Sequence, residues 1–260
     1  MWEGIIARTH SDGVSQSLCV HSSNVAKISL FISHYPKTSE LLAYLHDLGK
    51  LSVAFQNYIK MDGERGSVTH AWQGSFYANE LLSGNCTSAT LLKEIIGFCV
   101  TAHHNHLNDG VRPNGTTDYY NKYSNINDSK YSFKEIKGKI TKQENAELQA
   151  LFNNAKPEID SLMTQIQEVY SDRNSANFAL GLFIKYLFSC LVDADRLDAY
   201  LFKIDEAYTY QPTNWDKLIN VFEENISKFP RTEKIENSRK SVSDKCKSAA
   251  DKDTGIYQLS

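Results

Sequence analysis

Wherever a pattern exists in this chain, apolar residues recur at helical spacing, and that periodicity narrows the fold to a helical one. Val25, Ile28, Leu30, Phe31 and Ile32 mark a helix over 23–34, and Leu41, Leu42, Leu45, Leu48, Val53, Phe55 and Ile59 mark another over 39–60. Thr69 is placed to cap a helix through "HAWQGSFYANELL" that the Gly84-Asn85 turn ends, and "SATLLKEIIGFCVTAHH" opens on a further Ser/Thr group. The pattern returns over 145–170, breaks at "SDRNS", and resumes over 176–202 in the most apolar stretch of the chain. A short helix fits 215–229 and Pro230 stops it. The expected fold is therefore all-α: a helical bundle with a long polar loop over 105–145 and a short C-terminal extension. The boundary is drawn after residue 227, with a basic linker over 228–260.

Two polar side chains sit where such a bundle should be dry. In "LLAYLHDLGK", His46 and Asp47 lie among Leu42, Leu45 and Leu48, and an unpaired buried carboxylate costs several kcal/mol. His103 and His104 likewise close the apolar run "IIGFCVTA", and Asp193 and Asp195 interrupt the apolar 176–202 stretch. Adjacent helical residues diverge by about 100 degrees, so His103 and His104 can share one ion only near a helix end. Asp193 and Asp195 point to different faces, so at most one of them meets the histidines. All eight histidines fall before residue 107, which is not a random scatter. Imidazoles and carboxylates converging on a divalent ion would offset the cost of burying them, and this thiolate-free donor set suits manganese, iron, cobalt, nickel or zinc in a hydrolytic site.

The remaining composition excludes more than it assigns. With 28 basic and 31 acidic residues the net charge is -3, so polyanion binding has to come from a local patch or from metal ions. Lys228 to Lys247 is the most basic stretch, with seven basic and three acidic residues. The five cysteines are dispersed without a CxxC pair, which fits a reducing compartment and argues against both a disulfide scaffold and a thiolate zinc site. The N-terminus has no apolar core of signal-peptide length, and "FALGLFIKYLFSCLV" is short for a membrane span and interrupted by Lys185. A soluble cytoplasmic protein without membrane contact is expected.

The series "THS" at 9–11, "HSSNVAKI" from His21, "LLAYLHDLGKLSVAFQNYI", "THAWQGSFYANELL" around His70, "TAHHNHL" and "LVDAD" resembles, in order and approximate spacing, the HD phosphohydrolase superfamily. Within it, the series looks most like the HD nuclease of the type I CRISPR-associated nuclease-helicases. The resemblance covers roughly residues 5–205. It implies two divalent metal ions (manganese, nickel, cobalt, iron or magnesium): one held by His21, His46, Asp47 and Asp195, the other by His70, His103 and His104 with Asp47 bridging. Lys50 falls at the family's lysine beside the metals, where it would contact the scissile phosphate. His10 matches a histidine present near the start of many relatives and is expected behind the ligands or against the substrate. His34 and His106 have no place in the pattern and are expected at the surface.

The resemblance implies metal-dependent hydrolysis of single-stranded DNA in type I CRISPR interference, endo- or exonucleolytic, with Asp47, His46 and Lys50 at the chemistry. The strand would be fed by a helicase domain of the same polypeptide, and a CRISPR effector complex would recruit a monomer. "DTGIYQLS" looks like the lead-in to the first helicase strand, so the chain is expected to be a fragment of a longer protein. Arg112, Tyr119, Tyr120, Tyr123 and Tyr131, with Lys122 and Lys130, are expected to form a wall of the substrate channel. Alternatives are a superfamily member acting on small nucleotides and a non-catalytic, metal-stabilised docking module.

Overall fold

Helical periodicity is realised along nearly the whole chain. A computed structural model describes every residue except 11, 61, 62, 64, 65, 111, 113, 210–212, 230–232 and 253–260, so Pro230 and "DTGIYQLS" lie outside the described residues. Among the described residues the fold is all-α apart from one hairpin. Two compact units divide between Thr209 and Tyr210, ahead of the boundary drawn at 227 from the sequence.

The first unit opens with strands β1 (Ile6–Thr9) and β2 (Ser15–Ser17), an antiparallel pair that sets Arg8 opposite Gln16. Sequence periodicity did not predict this hairpin. Its turn is closed by the His10 N–H donating to the Val14 carbonyl at 2.8 Å, with Gly13 at φ +88°. Ser17 ends β2 and also caps α1 (Leu18–Ile32), its hydroxyl accepting from the Val20 N–H. The helix therefore starts ahead of the expected residue 23, and His21 lies in its first turn.

The single helix expected over 39–60 is three pieces: α2 (Pro36–Leu45), a 3-10 turn (Leu48–Leu51) and α3 (Val53–Lys60). Two close approaches explain the break. A Cβ at Gly49 would collide with the His70 carbonyl oxygen, and one at Gly74 would collide with the Leu45 carbonyl oxygen. Glycine at both positions lets the chain around His70, and α4 (Gln73–Leu81) after it, seat directly on the end of α2. Thr69 is not the helix cap: α4 begins after Trp72, and the Gln73 side-chain amide donates to the Thr69 carbonyl.

Helix α5 (Thr87–Ala102) ends at the two histidines. The 105–145 stretch is only partly a loop. It holds α6 (Asp118–Asn121), two 3-10 turns and α7 (Phe133–Lys139), and it buries Tyr119, Tyr131, Phe133 and Ile136. Helix α8 (Lys142–Val169) starts from a capping box of Thr141 and Glu144, and α9 (Arg173–Ile204) from Asp172. Helix α1 packs on α2 and α9, α2 on α8, and α5 on α4, α8 and α9. Their meeting faces, among them Val25, Ile28, Leu42, Ile95, Phe152 and Leu187, form the core.

Once folded, α9 is longer than "FALGLFIKYLFSCLV" suggested: it is long and apolar enough to cross a membrane by length and composition alone. Here Phe183, Leu187, Leu191 and Ala194 are buried in the helical core. In the second unit, α10 (Trp215–Ser227) is amphipathic but buries no residue, and α11 (Glu233–Ala250) is joined to it by a Lys247–Glu223 ion pair at 2.6 Å.

Candidate metal centre

Five separate segments deliver the polar residues to one place. His21 comes from α1, His46 and Asp47 from the break after α2, His103 and His104 from the C-terminus of α5, and Asp195 from α9. His70 comes from the segment ahead of α4. His21, His46, Asp47 and His103 are all buried. The break in the helix explains how neighbours His46 and Asp47 serve one centre: His46 still donates its backbone N–H to Leu42, while Asp47 at φ -108° has left the helix.

Two groups of donor atoms can each hold a metal ion: His21, His46 and Asp195, and beside them Asp47, His70, His103 and His104. In the first, His21 Nε2 lies 3.2 Å from His46 Nε2 and 3.3 Å from Asp195 Oδ1. An ion about 2.1 Å from each ligand places neighbouring donors about 3–3.5 Å apart, so these separations match a coordination shell. Asp47 faces both groups. Its Oδ2 lies 3.1 Å from His21 Nε2 and 3.2 Å from His46 Nε2, and its Oδ1 lies 3.5 Å from His103 Nε2.

The tautomers show what these contacts need. His46 Nδ1 donates to the Ala43 carbonyl at 2.8 Å, His103 Nδ1 to the Val100 carbonyl at 2.6 Å, and His21 Nδ1 to Asp198 Oδ2 at 2.6 Å. With the proton on Nδ1, each Nε2 carries a lone pair directed at the centre. His103 Nε2 and Asp47 Oδ1 are both buried and have no hydrogen-bond partner, although they face each other. Two acceptors confronted in a dry interior repel unless a cation lies between them, so the donor set fits a divalent ion.

The electrostatics keep the ligands in their binding form. Burial pushes the Asp47 carboxyl up, but it is held well below the usual carboxylate range, chiefly by the Lys50 ammonium at 2.7 Å. Burial lowers His70 to about 4, against the pull of Asp47. His104 is more exposed, yet desolvation of its ring and then His103 also lower it. His70 Nε2 and His104 Nε2 approach to 2.6 Å. Because His70 Nδ1 donates to the Val68 carbonyl, the proton shared by this pair belongs to His104 Nε2 and must shift to Nδ1 before His104 Nε2 can ligate.

This fixes a pH dependence for the metal-free protein. The unfolded chain binds a proton at His70 near pH 6.5 and the folded chain only near 4, so the unfolded state gains protons first. Stability from neutral His70 is complete above about pH 6.5 and is lost as pH falls towards 4. Melting temperature measured in chelator should be flat from pH 7 to 8 and fall steadily below pH 6.5. A flat profile down to pH 4.5 would contradict the assignment.

Asp193 is exposed while Asp195 faces His21, which separates the two acids that the sequence left open. Asp198, one turn beyond Asp195, went unrecognised. It accepts from His21, from Gln16 at 3.0 and 3.1 Å, and from Asn24 at 2.8 Å, so it fixes the His21 ring. The spacing of Asp195 and Asp198 on α9, and of His21 and Asn24 on α1, was the available signal. We expect Asp198→Ala to weaken metal binding about 10- to 100-fold, read by calorimetry, with the Asp198→Asn variant closer to the parent.

Other expectations fare differently. Tyr119 is not part of a channel wall: it is buried and stacked on Phe98 at 4.7 Å, because its ring supplies apolar area that a polar loop otherwise lacks. Tyr131 is buried against Phe76 in the same way. Tyr120 and Arg112 are exposed. His10 pairs with Asp12 at 3.3 Å and sets its ring edge-on to Phe202. His34 and His106 are exposed, as expected.

No family model and no curated protein matches this chain.

Proposed function

We propose that the chain is a metal-dependent phosphodiesterase of the HD type that cuts single-stranded DNA. The observation that carries the reading is the Asp47 carboxylate, whose two oxygens each face a different group of imidazoles. A shared carboxylate between two donor sets is how a pair of divalent ions is held at the spacing of a phosphoryl-transfer site. Manganese, nickel, cobalt or iron suits the imidazole-rich set, and magnesium suits it less.

When bound, such ions supply the Lewis acidity that activates water and offsets charge on the phosphate. The protein does the rest. Asp198 and the Ala43 and Val100 carbonyls hold three imidazoles in the tautomer that presents Nε2. Lys50, buried beside Asp47, keeps that carboxylate ionised and offers an ammonium to the negative charge that builds during hydrolysis. The more exposed His104 marks the side from which a strand would enter.

The substrate and biological setting rest on the likeness of the motif series to the type I CRISPR nuclease-helicases. In the second unit, Trp215, Leu218, Phe222 and Phe229 are exposed, which supports a docked neighbour such as the helicase domain of the same polypeptide. Recruitment by a CRISPR effector complex is part of the same proposal. All five cysteines are free, which supports a cytoplasmic location.

The test is circular single-stranded DNA incubated with the manganese-loaded protein. Conversion of circles to linear strands, abolished by chelator, is the expected result. Intact circles alongside hydrolysis of a small cyclic nucleotide would replace this reading with a small-nucleotide phosphohydrolase. A protein that binds metal and hydrolyses neither would be a metal-stabilised docking module.

A further inference from the structure

We infer that Arg8 is a substrate-contacting residue that grips a phosphate oxygen beside the His21–His46–Asp195 group. The inference rests on the phosphodiesterase reading for its substrate class, but the anion-binding claim stands on Arg8's own contacts.

Arg8 reaches the centre from β1. Its Nη2 lies 3.2 Å from Asp195 Oδ1 and 3.9 Å from Asp198 Oδ2, so one nitrogen serves both acids of α9. The same atom is 3.0 and 3.1 Å from the two ring nitrogens of His21. Near-equal distances to both nitrogens place it over the ring face, out of line with either lone pair. The guanidinium therefore does not compete for His21 Nε2, and the histidine stays available as a ligand.

The guanidinium has five N–H donors in a rigid fork, and every contact found for Arg8 uses Nη2. The Nε and Nη1 donors have no partner among the described residues, and the side chain is 20% exposed. A cation fixed at one nitrogen and open at the others suits bidentate capture of a tetrahedral anion. Its anchor is Asp195, a member of the donor group, so a phosphate held by Arg8 lies against that group. Lys50 approaches from the Asp47 side. Arg8 and Lys50 thus flank the centre from different elements, and a phosphate between them meets positive charge from both.

Arg8 was invisible to the motif reading because it is thirteen residues ahead of His21 on an unpredicted strand. Only the hairpin brings it over the ring.

The experiment compares the parent, Arg8→Ala and Arg8→Lys by calorimetry with manganese, and then titrates each manganese-loaded protein with inorganic phosphate and with dimethyl phosphate. Arg8→Ala should bind manganese at least as tightly as the parent, since a nearby positive charge is gone. It should bind both phosphates about tenfold more weakly, the size of one charge-assisted hydrogen bond. Arg8→Lys should fall between, because an ammonium keeps the charge without the fork. On single-stranded DNA, the loss should appear in KM more than in kcat, and the salt slope of binding should shrink by about 0.7.

Unchanged phosphate affinity in Arg8→Ala, with metal binding intact, overturns the inference. So does weaker manganese binding with a lowered melting temperature in both variants, which would make Arg8 a structural brace for Asp195. If the parent binds phosphate through Arg8 but leaves DNA uncut, the nuclease reading fails while the Arg8 assignment stands.

Discussion

Asp47→Asn is expected to remove the proposed metal-dependent hydrolysis down to the level of the metal-free protein and to cut the number of manganese ions bound. The Oδ2 of Asp47 faces His21 and His46 and its Oδ1 faces His103, so its loss strips a ligand from each group. The amide keeps the shape of the carboxylate but not its charge, and Lys50 is then left as a buried ammonium whose nearest anion, at 2.7 Å, is gone. Breaking a buried pair from one side costs roughly 3–5 kcal/mol. Lost activity could therefore be mistaken for unfolding. The double variant Asp47→Asn with Lys50→Met separates the two, because it removes both members of the pair. Its melting temperature should recover most of the loss while activity stays absent. Recovery of cleavage in the double variant would show that Asp47 is there to neutralise Lys50 and not to hold ions. Far-UV circular dichroism of all three proteins should remain helical.

Local chemistry and tertiary register divide what the sequence disclosed. His21, His70 and the choice of Asp195 came only from the resemblance of the motif series, whereas His46, Asp47, His103, His104 and the Asp193/Asp195 pair stood out because each is anomalous in its own surroundings, a polar group in or at the end of an apolar run. The all-α class followed from periodicity for the same reason. The break between α2 and the 3-10 turn could not be foreseen, because it depends on Gly49 and Gly74 meeting backbone from distant segments. Composition misled over Tyr119 and Tyr131. A stretch rich in Asn, Asp and Gly looks solvated, yet its tyrosines are the part that packs, and the ring stack on Phe98 has no signature within the loop. Asp198 and Arg8 were missed because residues behind or beside a ligand are ordinary in their local context and acquire meaning only when α1, α9 and β1 are brought together.

Metal loading should raise the melting temperature of the first unit by several degrees, and chelation should reverse it. Metal-free, the centre confines three carboxylates, Asp47, Asp195 and Asp198, against which Lys50 and Arg8 are, among the described residues, the fixed cations. It also leaves His103 Nε2 and Asp47 Oδ1 buried without partners. An ion that satisfies these atoms in the folded chain has no comparable site in the unfolded one, so binding energy becomes folding energy. At a free metal concentration 100 times the dissociation constant, one site adds about 2.7 kcal/mol. For a unit of this size each kcal/mol is worth roughly 2–4 °C, so one site predicts about 5–11 °C and two sites more. Spreading the ligands over α1, α5 and α9 sharpens the prediction: the ions tie together helices far apart in sequence, so the shift should come with slower amide exchange at the facing ends of all three. His103→Ala should shrink the shift by removing an α5 ligand, and Asp47→Asn should shrink it further. A melting temperature indifferent to manganese in the parent, at concentrations where calorimetry shows binding, would mean that the ions sit elsewhere on the molecule.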